Sequence, residues 1–249
     1  MAKVFTSLQR QNLSGQVVHE IGLSIMRGDF KPGDTLSSEP ELSLQFNVSR
    51  PVMREALKIL SAKGLIESRP KTGTKVRPRA DWNILDTEVI GWMYEVGPDR
   101  SFLDELCEVR LMFEPAAARL AATRATKDEI NTIEECYRRM EEGVKSPETY
   151  IPADLAFHSA ICAAAHNEML QKITETLTTS LHMSRVVTSR LPGANLAAMP
   201  LHRSVAEAIR KGDGRAAEEA MRKLVILTTT DIQRALQQKE GSAENSRSI

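Results

Sequence analysis

Residues 37–78, SSEPELSLQFNVSRPVMREALKILSAKGLIESRPKTGTKVRP, constrain this chain more than any other stretch. Ser38 and Glu41 have the S-x-x-E spacing of a capping box, and Pro40 is tolerated in a first helical turn. A short helix is therefore expected to begin there and to end near Phe46. FNVS makes a turn, and Ser49 is placed to cap a second helix that runs to about Lys63 and stops at Gly64. Val52, Met53, Ala56, Leu57 and Leu60 give that helix an apolar face. Arg50, Arg54 and Lys58, at four-residue steps, line another. Beyond Gly64, LIES and TKVR read as two short strands joined by RPKTG. Upstream, Leu13, Val17, Val18, Ile21 and Ile25 recur at helical spacing until Gly28, Pro32 and Gly33 impose a turn. The order is helix, helix-turn-helix, hairpin: a winged helix-turn-helix.

The charges fit that reading. Net charge is zero, but residues 1–80 hold 13 Lys+Arg against 7 Asp+Glu, and the remainder holds 20 against 26. A basic N-terminal part on an acidic remainder is the electrostatic footprint of a nucleic-acid module. Arginines near the start of a helix can enter the major groove and bond guanine O6 and N7 bidentately. At the hairpin tip, Arg69, Lys71 and Thr72 precede Gly73, a residue that lets backbone approach phosphate closely. A charge run is ordinarily a solvated helix face. Here charge, turn chemistry and hairpin coincide, which favours double-stranded DNA.

Aromatic residues make up only 4% of the 249 residues, and Ala/Leu/Glu/Arg-rich stretches dominate, so the rest is expected to be mainly α-helical. No apolar run approaches the length of a membrane span, and MAKVFTSLQRQNLSG has no signal-peptide character. Cys107, Cys136 and Cys162 form no CxxC pattern and read as reduced thiols. A cytoplasmic protein is expected. Residues 1–78 form the DNA-binding part. Residues 79–100, with Trp82 and Trp92, are too apolar for a free linker and should pack on a neighbour through a helix near Leu85–Glu95. From residue 101 to 236 the pattern is a bundle of about six helices. Breaks fall at Thr126-Lys127, Ser146-Pro147, His166-Asn167, LPGAN (191–195) and Gly212-Asp213. The polar tail 237–249 reads as unstructured.

Within the bundle, DLAFHSAI puts Asp154 and His158 one helical turn apart. Their clearest partner is His202. One carboxylate and two imidazoles suit a divalent first-row metal, Zn or Ni above all. No catalytic nucleophile motif, P-loop or GxGxxG is present. A metal-dependent hydrolase would also need a general base that no motif supplies. Arg110, in EVRLMFEP, has Glu105, Glu108 and Glu114 within reach, as a surface arginine ordinarily does. Asn167 reads as a helix cap, and His19, His166 and His182 as ordinary histidines.

The N-terminal run Gly28…Pro32-Gly33…Ser38-Glu39…Phe46-Asn47-Val48-Ser49-Arg50…Arg54-Glu55…Gly64-Leu65-Ile66…Gly73-Thr74…Val76 resembles the DNA-binding domain of GntR-family transcription regulators. By that resemblance Arg50 and Arg54 contact the operator and the wing around Gly73 meets the minor groove. Pro40 departs from the arginine usual there, so one expected contact is absent. EVRLMFEPAAARLAA, DLAFHSAI…HNEML and HRSVAEAIRKGDGRAAEEAM resemble the FCD ligand-binding domain of the FadR subfamily. Metal-binding members of that subfamily use an Asp and a His one turn apart and two later histidines. Asp154, His158 and His202 match three of these, and Leu224 stands where the fourth would be. The resemblance implies that Arg110 points into the cavity and binds an effector's carboxylate, with His202 beside it. DWNILDTEVIGWM resembles regulators of sugar-acid catabolism, galactonate-like acids among them. The expectation is a homodimeric repressor that binds operator DNA and is released by a small sugar acid. The alternatives are a metal-free site in which Asp154 and His202 bond the effector directly, and a metal-responsive regulator with no organic effector.

Overall fold

The structure, a computed structural model, describes residues 13–69, 73–97 and 100–247, with side chains through 238. Two compact units divide at Gly97/Pro98.

In the first unit, α1 (Leu13–Arg27), α2 (Glu39–Gln45) and α3 (Arg50–Ala62) surround a three-stranded sheet. The sheet comprises β1 (Thr35–Leu36), β2 (Ile66–Arg69) and β3 (Gly73–Val76), ordered β1-β3-β2 with antiparallel pairing. The hairpin register pairs Ile66 with Val76 and Arg69 with Gly73. Strand β1, too short to read from the sequence, adds a third strand to the hairpin. Met53, Ala56, Leu57 and Leu60 of α3 are buried, as their i, i+3, i+4, i+7 spacing requires. The capping box forms: the Glu41 carboxylate accepts the backbone N–H of Ser38 at 2.8 Å. At Gly64, where φ is +76°, a Cβ would lie 2.2 Å from the carbonyl oxygen of Asp81.

Residues 79–97 belong to this unit rather than forming a separate connector. They hold a 3-10 turn (Arg79–Asp81) and α4 (Thr87–Val96). Asp86 caps α4 by accepting from the amides of Glu88 and Val89, and both its oxygens also accept from Lys63 Nζ at 2.8 Å. Trp92 donates its indole N–H to His19 Nδ1 at 3.0 Å, so α4 is tied to α1.

The second unit is all helical: α5 (Arg100–Arg124), α6 (Lys127–Gly143), α7 (Pro147–Ala164), α8 (Glu168–Thr188), α9 (Ala194–Arg210) and α10 (Gly214–Arg247). All five expected breaks fall between helices. Asn167 caps α8 by accepting from the amides of Met169 and Leu170. Its main core joins α5, α6, α7, α9 and α10 through residues such as Ala118, Met140, Phe157, Val205 and Leu224. Helix α10 continues through Arg247, where an unstructured tail was expected from residue 237. Polar composition lowers the drive to pack, but Ala, Gln, Lys, Glu and Arg are good helix formers and extend a helix already nucleated. Among the described residues no helix is long and apolar enough to cross a membrane.

Candidate DNA-reading surface and buried effector site

On the first unit, Ser49 and Arg50 open α3 and are exposed, as are Arg54 and Lys58 along the same face. Ser38 is exposed at the start of α2, and its hydroxyl is engaged by Glu41 at 2.7 Å. Arg54 is not free. The Glu39 carboxylate accepts from its Nη2 at 2.9 Å and its Nε at 3.3 Å. The hydrogen bond from Arg54 holds the Glu39 carboxyl below its usual range. The guanidinium is thereby oriented while the side chain stays 63% exposed. Gly73 is exposed at the start of β3 with φ +81°, a left-handed conformation that glycine adopts without a Cβ penalty. Lys71 and Thr72 lie outside the described residues.

In the second unit, six buried ionisable side chains converge from four helices. Asp154 and His158 come from α7, His202 from α9, Arg185 from α8, and Arg110 and Glu114 from α5. Asp154 Oδ1 lies 3.0 Å from His202 Nε2 and 3.9 Å from His158 Nε2. The other oxygen, Oδ2, accepts a short hydrogen bond from Arg185 Nε, and Arg185 Nη1 donates to Ser184 Oγ at 3.3 Å. Glu114 is held by Arg110 through Nε at 2.5 Å and Nη2 at 3.3 Å. Its Oε2 lies 2.9 Å from His158 Nδ1, off the alignment of a hydrogen bond. The rings of His158 and His202 meet edge to face at 5.7 Å, each also against Phe157.

Electrostatics sets the ionisation of this cluster. Burial opposes the charge on Glu114, but the Arg110 guanidinium outweighs it and holds the carboxyl well below its usual range. The same contest on Asp154 is won by Arg185. Burial lowers the pKa of His158 despite the two nearby carboxylates, so the ring is neutral. His202 Nδ1 lies 3.0 Å from the carbonyl oxygen of Ala198. With Nδ1 donating there, Nε2 is the ring nitrogen left to hold a metal. Asp154, His158 and His202 offer ligand atoms that lie within 4.8 Å of one another, and all three residues are buried. His158 Nε2 has no hydrogen-bond partner. A backbone carbonyl behind one imidazole and a carboxylate behind the other is the outer support usual for metal-ligating histidines. The donor set fits a divalent metal.

Residues 13–76 match the gntR family of bacterial regulatory proteins, and residues 105–226 match the FCD domain. The chain is a gntR-family transcription regulator.

This regulator is 35% identical to the galactonate operon transcriptional repressor of Escherichia coli strain K12, over 88% of its own length and 96% of the relative's. It is 30% identical to the transcriptional repressor NanR of Cronobacter sakazakii, over 86% of its length and 83% of the relative's. A solved structure of Lar, which controls expression of the Listeria monocytogenes agr system, shares the fold. The TM-score is 0.62 at 18% identity, over 93% of the regulator and 99% of that chain. Family and fold mark the protein as a DNA-binding regulator and not an enzyme.

The structure brings Asp154, His158 and His202 of the regulator together. It pairs Arg110 with Glu114, the i, i+4 neighbour, and leaves Arg110 Nη1 buried without a hydrogen bond. Leu224 is 1% exposed in the apolar core of α5, α6, α7, α9 and α10. Arg185 was not anticipated. Its only signal in the sequence is a charge within SLHMSRVV, a stretch otherwise short of charge.

Proposed function

We propose that this regulator is a homodimeric repressor of genes for sugar-acid catabolism, galactonate-like acids in particular. Two winged helices bind the half-sites of a near-palindromic operator, reading it through Arg50 and Arg54, with Ser38, Ser49 and the wing residues Lys71, Thr72 and Gly73 against the backbone. A small carboxylate effector enters the helical unit and releases the DNA. Asp154, His158 and His202 would hold a divalent metal, which supplies a charged centre for the effector's oxygens. Arg110 donates Nη1 to the effector's carboxylate, and His202 lies beside it. Operator and effector then change each other's affinity reciprocally.

The observation that carries this reading is the coincidence of unpartnered atoms. His158 Nε2 and Arg110 Nη1 are both buried without partners, and each costs free energy unless something bonds it. The imidazole lone pair can ligate a metal ion, and the guanidinium N–H can donate to an anion. The likeness to the galactonate operon repressor supports the choice of acid.

The test is thermal melting against a panel of aldonic, uronic and hydroxy acids, with the metal present and stripped. Ligands of the folded state raise Tm by mass action. One sugar acid is expected to stabilise the protein, to lose that effect on chelation and to regain it with Zn or Ni. Stabilisation indifferent to chelation would remove the metal from the reading. Stabilisation by metal alone, with every acid inert, would leave a metal-responsive regulator. On the DNA side, Arg54→Glu is expected to abolish operator binding and leave the sugar-acid response intact. Retained operator affinity would overturn the recognition-helix assignment.

A further inference from the structure

Arg185 is the one member of the buried cluster that the metal-and-effector reading leaves without a task, and a bare structural task fits it poorly. It is 4% exposed and sits against the carboxylate that would ligate the metal. A cation at the metal position and a guanidinium on the same carboxylate repel each other, and low polarity strengthens that repulsion. The charge balance makes the problem concrete. Arg110 and Arg185 contribute two positive charges, and Glu114 and Asp154 two negative ones. These four charges sum to zero. A divalent cation entering alone would leave the excess of two charges buried, which is costly. A carboxylate entering alone would leave one negative charge in excess.

The two arginines are not equivalent. Arg110 clasps Glu114 through two nitrogens on its own helix, and Glu114 is outside the ligand set. Arg185 donates to Asp154 through Nε, and its Nη1 donates to Ser184. A cation that draws on Asp154 therefore weakens the hold on Arg185 and leaves Glu114 and Arg110 as they were. The released guanidinium is already desolvated and presents the planar fork that a carboxylate accepts.

Resting on the proposed effector reading, we infer that Arg185 is a second effector-binding residue, held in reserve on Asp154, through which metal and carboxylate bind with positive coupling. In the unliganded protein it acts as the resident cation of the site and keeps metal affinity low. When metal and effector enter together, Asp154 passes to the metal and Arg185 passes to the effector's carboxylate. Arg110 Nη1 takes a further oxygen. A divalent cation and a carboxylate entering together leave an excess of one charge where the cation alone leaves two, so each favours the other's entry.

The experiment is zinc binding by the full-length protein, read by competition with a chromophoric chelator. It is run with and without galactonate, correcting for zinc that galactonate itself holds. The wild type is expected to bind zinc at least tenfold more tightly when galactonate is present. Arg185→Gln is expected to bind zinc alone at least tenfold more tightly than the wild type and to lose the galactonate effect. Arg185→Lys, which keeps the charge, is expected to stay weak for zinc alone, and it controls for misfolding. Zinc affinity that is unchanged or weaker in Arg185→Gln overturns the inference, because Arg185 then only orients Asp154. Tighter zinc binding by Arg185→Gln with galactonate coupling intact overturns the effector-anchoring role. A wild type that binds no zinc in any buffer overturns the metal reading itself, and the inference falls with it.

Discussion

The indole of Trp92 occupies the space that a side chain at Gly22 would need. A Cβ there would lie 2.6 Å from the ring, so α1 and α4 pack backbone against aromatic face. Gly22→Ala would gain about 0.5–1 kcal/mol of helix preference and lose more to overpacking. A net destabilisation of about 1–3 kcal/mol is expected, seen as a lower urea midpoint at unchanged slope. An unchanged midpoint would mean that α4 is not seated on α1.

Lys63 binds the same helix at its N-terminal end. Its ammonium lies 2.8 Å from both oxygens of Asp86 and 2.7 Å from Glu88. Lys63→Met keeps the apolar stem and removes the charge. A loss of about 1–3 kcal/mol is expected, because a half-buried carboxylate is left unpaired. Amide exchange should quicken across 87–96 before it does elsewhere in the first unit. Uniform exchange would sink this local account.

The buried cluster makes stability depend on pH in metal-free buffer. Unfolded His158 takes up a proton near its ordinary value of 6.5, whereas the folded ring, desolvated, resists it. Stability should therefore fall as pH drops below about 6.5. Asp154 and Glu114 have depressed carboxyls when folded, so their contribution is present at neutral pH. It is lost as pH falls through the ordinary carboxylate range toward the lower folded values. Equal unfolding free energies at pH 7 and pH 5 would contradict the neutral His158.

Leu224→His restores the residue that metal-binding relatives carry. Without metal, an imidazole in that apolar core is expected to cost about 1–3 kcal/mol. With zinc, the gap in Tm between metal-loaded and chelated protein should widen relative to the parent by several degrees. A gap no wider than the parent's would mean that position 224 does not face the ligand set.

All three cysteines are buried, and burial pushes the Cys162 thiol up to about 12. The native protein at pH 8 is expected to resist thiol reagents, with full labelling only in denaturant. Rapid native labelling of Cys162 would contradict the packing of α7.

The winged helix was readable because its signals are local. Ser38-x-x-Glu41 and Ser49 mark helix starts, Gly64 marks a stop, and the apolar face of α3 repeats at the helical period. Asp154 and His158 were readable for the same reason, being one turn apart on one helix. His202 was named as their partner from residue type, and the resemblance sharpened that choice, because separation along the chain says nothing about distance. Arg185 was hidden because an arginine in a helix is normally solvated, and only its seat on α8 against α7 buries it. The extent of α10 was misjudged because composition measures the pull toward solvent, while helix continuation depends on what precedes it. Residues 79–97 were expected to pack on a neighbour, and Trp92 on Gly22 is the contact that does it.

The clasp between Glu39 and Arg54 has a consequence for how the protein searches a chromosome. If Arg54 reads the operator as proposed, the carboxylate beside it repels phosphate everywhere, so it weakens attachment to bulk DNA and shortens each non-specific stop. At the operator the same carboxylate keeps the guanidinium aimed, so the fit to bases costs less ordering. Removing it with Glu39→Gln should lengthen residence on random sequence and slow arrival at the operator. The exchange of one charge would trade search speed for grip.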